Sequence, residues 1–294
     1  MKLFSLLLFS TFIMPVKSYS QDEQLKLADN YFSAGQYYNA ITEYKRFLFF
    51  NPHNRLVTEI NYKIGLSYKF DRKWDEAIAT FKALTNSNDD SLSYKARLQI
   101  GIVYLASGQQ NMAEYELLRI STFCKYNTIK LNSYFFLGLC YLYKSDWLDA
   151  KEYLDKFYSI NCNLNIERID SLLKLSCNYH YRSPKTAKWL STFVPGSGQL
   201  YAGDVKNSIN ALLINSLTVY LAVNSILGRQ LWDFLLIDIT IFERFYTGNR
   251  VKSEDYVNDK NVKINESFRK KIIEEINTVN NSVEGIKCVG INEI

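Results

Sequence analysis

Two histidines serve the whole 294-residue chain, His53 and His180, and they stand far apart. Together with five cysteines that form no C-x-x-C pair, this leaves no ligand set at metal-binding spacing, and no metal or other cofactor is expected. An odd number of cysteines leaves at least one thiol unpaired. Cys140 and Cys177 fall on expected packing faces of helices, and Cys124 and Cys162 near helix ends, so bridging them would strain disulfide geometry. With Cys288 they are read as buried thiols. Positive charge is scattered too: a net charge of +5 comes from Lys and Arg interleaved with Asp and Glu, without the basic stripe that a phosphate backbone demands, so nucleic acid is not an expected partner. The chain also lacks a Gly-rich phosphate loop tied to a strand, a nucleophile elbow, a zinc helix and an evident acid/base pair, so an enzyme acting on a small-molecule substrate is the least favoured class.

What the chain does have is a repeat. At intervals of 36 to 38 residues a small residue stands three before a tyrosine: Ala28/Tyr31, Gly65/Tyr68, Gly101/Tyr104, Gly138/Tyr141 and Ser176/Tyr179. In the first four copies an alanine follows nine residues after the tyrosine (Ala40, Ala77, Ala113, Ala150), and a large apolar residue four further on (Tyr44, Phe81, Leu117, Leu154). A helix needs a small side chain where a neighbour crosses it closely, and large ones beside it to fill the gap. The pattern therefore predicts an all-α helix-hairpin solenoid over residues 21–182, with four units and a degenerate fifth.

The repeat resembles the tetratricopeptide family. Ala28, Tyr31, Ala40, Tyr44, Phe47 and Pro52 fall at that family's spacing, although its early Trp is absent and these units are two to four residues longer. The resemblance implies that the first helix of each unit lines a concave groove for a protein or peptide partner. The groove positions it implies are Asp29, Phe32, Tyr62, Leu66, Lys69, Phe70, Lys95, Leu98, Ile102, Phe135, Leu139 and Tyr143. Most are apolar and suit anchoring, and Lys69 and Lys95 would add steering. Leu25 and Asp29 stand where some family members carry the Lys and Asn that grip a C-terminal carboxylate, so that mode is not expected. The competing reading is that several of these side chains simply pack on a flanking helix.

At the N-terminus, Lys2 precedes an apolar run from Leu3 to Val16, followed by Ser18 and Ser20. These are the parts of a signal peptide over residues 1–20, with cleavage expected before Gln21. An uncleaved anchor is the alternative. Either would export the repeats.

Beyond the fifth copy the pattern breaks. Pro184 opens a helix with Ala187 and Ser191 one turn apart, Pro195 and Gly196 end it, and Gly198 and Gly203 permit close backbone approach. Asn207 to Leu227 is 21 residues without a charge, enough to cross a bilayer core. After Gly228, Arg229 and Gln230 comes a second apolar run, Leu231 to Phe245, interrupted by Asp233, Asp238, Glu243 and Arg244. On a helix Asp233 and Asp238 point about 140° apart, so this run cannot face lipid all round. Residues 183–250 are thus read as a Pro-Gly segment followed by a membrane hairpin. The alternatives are a hairpin lying in the interface or packed as soluble helices on the repeats. Residues 251–294 form a polar tail with one short helix over Glu266 to Val279, its strip made by Ile272, Ile273 and Ile276, or else a loosely ordered end.

Residues 183–261 also resemble an uncharacterised bacterial membrane-protein module, found fused to tetratricopeptide repeats in exported proteins of Bacteroidetes-type bacteria. The shared residues are Pro195, Gly196, Gly198, Gln199, Tyr201 and Gly203, then Tyr246, Gly248 and Asn249 after the hairpin, in the motifs Pro-Gly-x-Gly-Gln-x-Tyr and Tyr-x-Gly-Asn. The resemblance implies a membrane location and no reaction. The expected protein is a non-catalytic exported adaptor, tethered to the inner membrane and facing the periplasm. Two alternatives are a soluble periplasmic repeat protein in envelope assembly, and an accessory to membrane transport or insertion acting through the hairpin. Lys185, Lys188, Lys206, Arg250 and Lys252 would lie outside in the exported topology, against the positive-inside tendency.

Overall fold

The computed structural model describes residues 21–87, 89–160, 166–228, 232, 235, 240–241 and 243–281. The signal segment, Cys162, Cys288, Arg229, Asp233 and Asp238 therefore lie outside the described residues. All regular structure among those described is helical: α1 (Gln21–Ser33), α2 (Tyr37–Phe50), α3 (Val57–Phe70), α4 (Trp74–Leu84), α5 (Asp90–Ala106), α6 (Gln110–Phe123), α7 (Asn127–Lys144), α8 (Trp147–Ile160), α9 (Glu167–Cys177), α10 (Pro184–Phe193), α11 (Ser197–Ala202), α12 (Val205–Leu227) and α13 (Glu243–Asn281). Two compact units divide between Leu137 and Gly138, within α7.

In the first unit each helix packs on the next from α1 to α6, and α3 also meets α5, as stacked hairpins require. The small-to-large pairing read from the sequence is the crossing contact. A Cβ added to Gly65 would lie 2.6 Å from Cε1 of Phe81, and one on Gly101 would lie 2.8 Å from Cγ of Leu117. Ala40, Ala77 and Ala113 are buried beside them, with Tyr44, Phe81 and Leu117.

The repeated tyrosine has a main-chain role as well. In the first turn the N–H of Gln36 donates to the carbonyl of Tyr31 at 2.9 Å, and that of Gly35 to Phe32 at 3.0 Å, with Gly35 at φ 72°. This is the paired bonding of a Schellman cap. It recurs at Tyr68 with Arg72 (φ 57°), Tyr104 with Gly108 (φ 78°) and, in the second unit, Tyr141 with Ser145 (φ 60°). After Tyr179 no described residue takes a left-handed turn until Gly196. The fifth copy thus lacks the device that folds a hairpin back, and the repeat ends there.

The second unit repeats the crossing once more, since a Cβ on Gly138 would stand 2.6 Å from Cγ of Leu154. Its frame is α13, 39 residues and about 58 Å long, which packs on α9, α10, α11 and α12. Near its far end Phe268, Ile272 and Ile276 are buried. The Phe268 ring meets Trp147 at 6.0 Å and Tyr179 at 5.5 Å between centroids. The strip expected from Ile272, Ile273 and Ile276 is present, but the helix begins at Glu243 rather than Glu266. Its polar first half is held by small contacts, with Val257 buried against Ala187 and Ala202, and by the Lys188–Glu254 ion pair at 2.8 Å.

Cys124 and Cys140 are buried as expected, whereas Cys177 is exposed at the last position of α9. The expectation of burial fails there because no second helix of the repeat follows to cover it.

Candidate functional site

In the first unit a cleft of about 1000 Å³ opens between α3 and α5. Tyr62, Leu66 and Lys95, three of the expected groove residues, line it together. The remainder of its wall is more polar than the sequence reading implied: Arg55, Lys63 and Thr58 stand with Glu59 and Asp89. Asp29 is engaged nearby. It accepts a 2.8 Å salt bridge from Lys63 and a hydrogen bond of 2.5 Å from the Tyr44 hydroxyl. Burial, reinforced by the Asp29 carboxylate, pushes the Tyr44 hydroxyl well above its ordinary pKa.

The other expected groove residues have different places. Phe32 and Phe70 form an aromatic cluster with Tyr37, with centroids 5.5 to 5.9 Å apart, and both are half-buried. Leu98, Ile102, Phe135 and Leu139 are buried and support the stack from within. Lys69 is only 5% exposed; its Nζ donates to Oε1 of Gln99 at 2.9 Å and lies 4.6 Å from the Phe70 ring centre. It is a packed cation rather than a steering charge, since a neighbouring amide and ring satisfy it inside the stack. In the second unit Tyr143 is exposed, with the Arg269 guanidinium 5.2 Å from its ring.

The two motif segments, some fifty residues apart in sequence, meet around one side chain. Gln199, 2% exposed, donates from Nε2 to Oδ1 of Asn249 at 2.6 Å and to its main-chain carbonyl at 3.2 Å. Its Oε1 accepts from the Ser191 hydroxyl at 3.2 Å, and the same Oγ accepts the N–H of Gly198 at 3.0 Å. The Tyr246 hydroxyl donates to the carbonyl of Thr192 at 2.7 Å. α10, α11 and α13 are thus locked by polar groups inside a small apolar core.

The glycines set how closely these elements approach. A Cβ on Gly198 would fall 2.2 Å from the Ala187 carbonyl oxygen, and one on Gly196 (φ 94°) 2.3 Å from that of Ser208. Pro195 closes α10, and Tyr201 receives the N–H of Ser183 on its hydroxyl at 3.2 Å. Gly203 turns α11 into α12, whose first turn is capped by Asp204 accepting the N–H of Asn207 at 3.1 Å. Hydrogen bonds from Asn207 hold the Asp204 carboxyl below its ordinary pKa.

α12 has inverted polarity. Its buried residues are Asn215, Thr218 and Ser225, while Ile209, Leu212, Leu213, Leu217, Tyr220, Val223 and Ile226 are exposed. It is the one candidate span among the described residues, long and apolar enough to cross a membrane, with a mean hydropathy of 1.5. On α10 the rings of Trp189 and Phe193 stack 5.8 Å apart, both exposed. At the base of α12 lies a cavity of about 430 Å³, lined by Asn215 together with Arg244 and Lys252 of α13. Nothing in the spacing of those residues foretold that they share a wall.

Fold and sites together define an all-α, tetratricopeptide-like helical solenoid with one long apolar helix at residues 205–227. Residues 60–91, which hold Gly65, Tyr68, Ala77 and Phe81, match the family of the tetratricopeptide repeat. Such repeats are protein-interaction scaffolds, typically without catalytic activity. No curated protein matches the chain.

Proposed function

We propose that this chain is a non-catalytic exported adaptor that holds a protein partner in the cleft of its repeats and is tethered to the inner membrane, facing the periplasm, by its C-terminal helices. The observation that carries the tether is the polarity of α12. In water a helix turns its apolar face inward, yet here Asn215, Thr218 and Ser225 are covered and the leucines and isoleucines are bare. Lipid is the solvent in which that arrangement is stable. The exposed Trp189–Phe193 pair suits the membrane–water boundary, where aromatic rings collect. The signal-like composition of residues 1–20 supports export.

Carbonate extraction of fractionated cells tests the tether: the protein should stay with the membranes, and its release into the supernatant would sink the reading. For the cleft, a photoreactive residue at Tyr62 should crosslink a discrete partner. Crosslinking no better than from an exposed control site would remove the cleft from the proposal.

A second reading is favoured by the packing of α13. Phe268 and Ile272 bury the end of the last repeat beside Trp147 and Tyr179, as a terminal cap does, so the same segment suits a soluble periplasmic repeat protein in envelope assembly. Protease access to Gly228–Gln230 from the periplasm separates the two, because a spanning hairpin shields that turn.

A further inference from the structure

The cavity at the base of α12 sets amides and cations against an apolar wall of Ala211, Ile214 and Phe245. Asn207, Asn210 and Asn215 come from α12, and Arg244, Asn249 and Lys252 from α13. No carboxylate lines it among the described residues. Two of its groups are incomplete. Asn249 is 7% exposed and its Oδ1 is taken by Gln199, yet its Nδ2 has no partner. Asn215, 3% exposed, has an Oδ1 without one, although its own amide nitrogen is bonded to the carbonyl of Ala211 at 2.7 Å. Buried polar atoms are almost always paired, so two such atoms on one cavity wall, one a donor and one an acceptor, suit a polar ligand there.

Gly248 adds a separate observation. It sits in the interior of α13, where glycine weakens a helix, and a Cβ there would meet nothing within 4 Å. Packing does not explain it, in contrast to Gly196 and Gly198. It lies between Arg244 and Lys252 at four-residue steps, on one stripe of the helix about 12 Å long. A bare backbone between two cations leaves room for an anion to lie against the helix.

We infer that this cavity binds an anionic, phosphate-bearing lipid headgroup, with Arg244 and Lys252 taking the phosphate and the amides of Asn249 and, deeper, Asn215 the polar groups beside it. Phosphate chemistry follows from paired cations with hydrogen-bond donors and no opposing carboxylate. The lipid source rests on the tether reading: if α12 enters the bilayer at its N-terminal end, Asn207 and Asn210 lie at headgroup depth, and Asn215, about 12 Å beyond Asn207, lies on its acyl side. Such a site would choose among lipids rather than merely tolerate them.

The test uses the full chain in detergent and on vesicles. Vesicles of phosphatidylcholine, whose phosphate is offset by a choline cation that Arg244 and Lys252 would repel, read the tether, and adding anionic phosphatidylglycerol reads the cavity. Phosphatidylglycerol should raise vesicle affinity saturably, and Gly248→Leu should lower that gain about tenfold while leaving the melting temperature unchanged or higher. R244Q with K252Q should do the same, whereas K185Q with K263Q, an equal loss of charge outside the cavity, should not. A gain that survives both cavity variants, or falls equally in the control, overturns the site. Displacement of the lipid by inorganic phosphate at comparable concentration would assign the cavity to free phosphate and overturn the lipid source. Failure to float on phosphatidylcholine vesicles would count against the tether alone, because phosphatidylglycerol binding in micelles still reads the cavity.

Discussion

The main-chain N–H of Lys73 donates to the carbonyl of Tyr68 at 2.9 Å, and the turn this bond closes holds Arg72 at φ 57°. A side chain in the left-handed region crowds its own carbonyl, at a cost of about 1 kcal/mol or more. Gly35 and Gly108 occupy the equivalent turns without that cost. Arg72→Gly should therefore stabilise the first unit by about 1 kcal/mol, and Ser145→Gly the second by a similar amount. Urea unfolding should show higher midpoints for both. Lower midpoints would mean that these side chains make contacts outweighing the strain.

The repeat was legible in the sequence because its cause is steric: Gly65, Gly101 and Gly138 stand opposite Phe81, Leu117 and Leu154 at one fixed separation. Its period also located the turns. Which face of each first helix stays open was not legible, since Leu98 and Ile102 satisfy a groove pattern and a core pattern alike, and a neighbour decides between them. Lys69 misled for a similar reason, because its partner Gln99 is thirty residues away in sequence and no local signal ties the two. The first half of α13 escaped as a helix because its packing uses Ser253, Val257 and hydrogen bonds rather than a visible apolar stripe. The motif residues were legible as a set, but their geometry was not: only the fold shows that Gln199 and Asn249 are one contact.

Gln199 holds three elements through buried hydrogen bonds, so shape without polarity should fail there. Gln199→Leu keeps most of the volume but leaves Oδ1 and the carbonyl of Asn249 without their donor. The expected loss is about 2 kcal/mol, the usual cost of stranding buried polar atoms. Limited proteolysis should then cut near the α12 and α13 junctions while the repeats keep their helical circular dichroism. Wild-type protease resistance in this variant would show that packing alone secures the lock.

Acid should act on the last repeat through Asp170. Hydrogen bonds from Lys151, at 2.6 Å, and Lys174, at 2.6 Å, hold its carboxyl below the ordinary carboxylate value. A pKa depressed by folding contributes stability that is fully present above the unfolded value, about 3.9, and is lost as pH falls through the folded one. Thermal stability of the wild type should therefore fall on acidification below about pH 4, with Asp170→Asn flatter over that window and somewhat less stable at neutral pH. A variant that follows the wild-type acid profile would show that these ion pairs are too solvated to matter.

Leu217 and Thr218 are neighbours near the middle of α12, the first exposed and the second buried. The two environments proposed for that helix predict opposite signs for one substitution. If Leu217 faces hydrocarbon, Leu217→Lys places a charge at bilayer depth, costing about 3 kcal/mol, and should weaken retention in membranes after carbonate treatment. If α12 is instead a soluble helix, the same lysine removes an exposed apolar side chain and should improve solubility with little effect on stability. Thr218→Lys buries a charge in either case and should destabilise the fold in both. Comparing membrane retention of the first variant with the melting temperature of the second separates lipid exposure from mere surface hydrophobicity. Unchanged retention of Leu217→Lys, beside a destabilised Thr218→Lys, would place the exposed face of α12 in water.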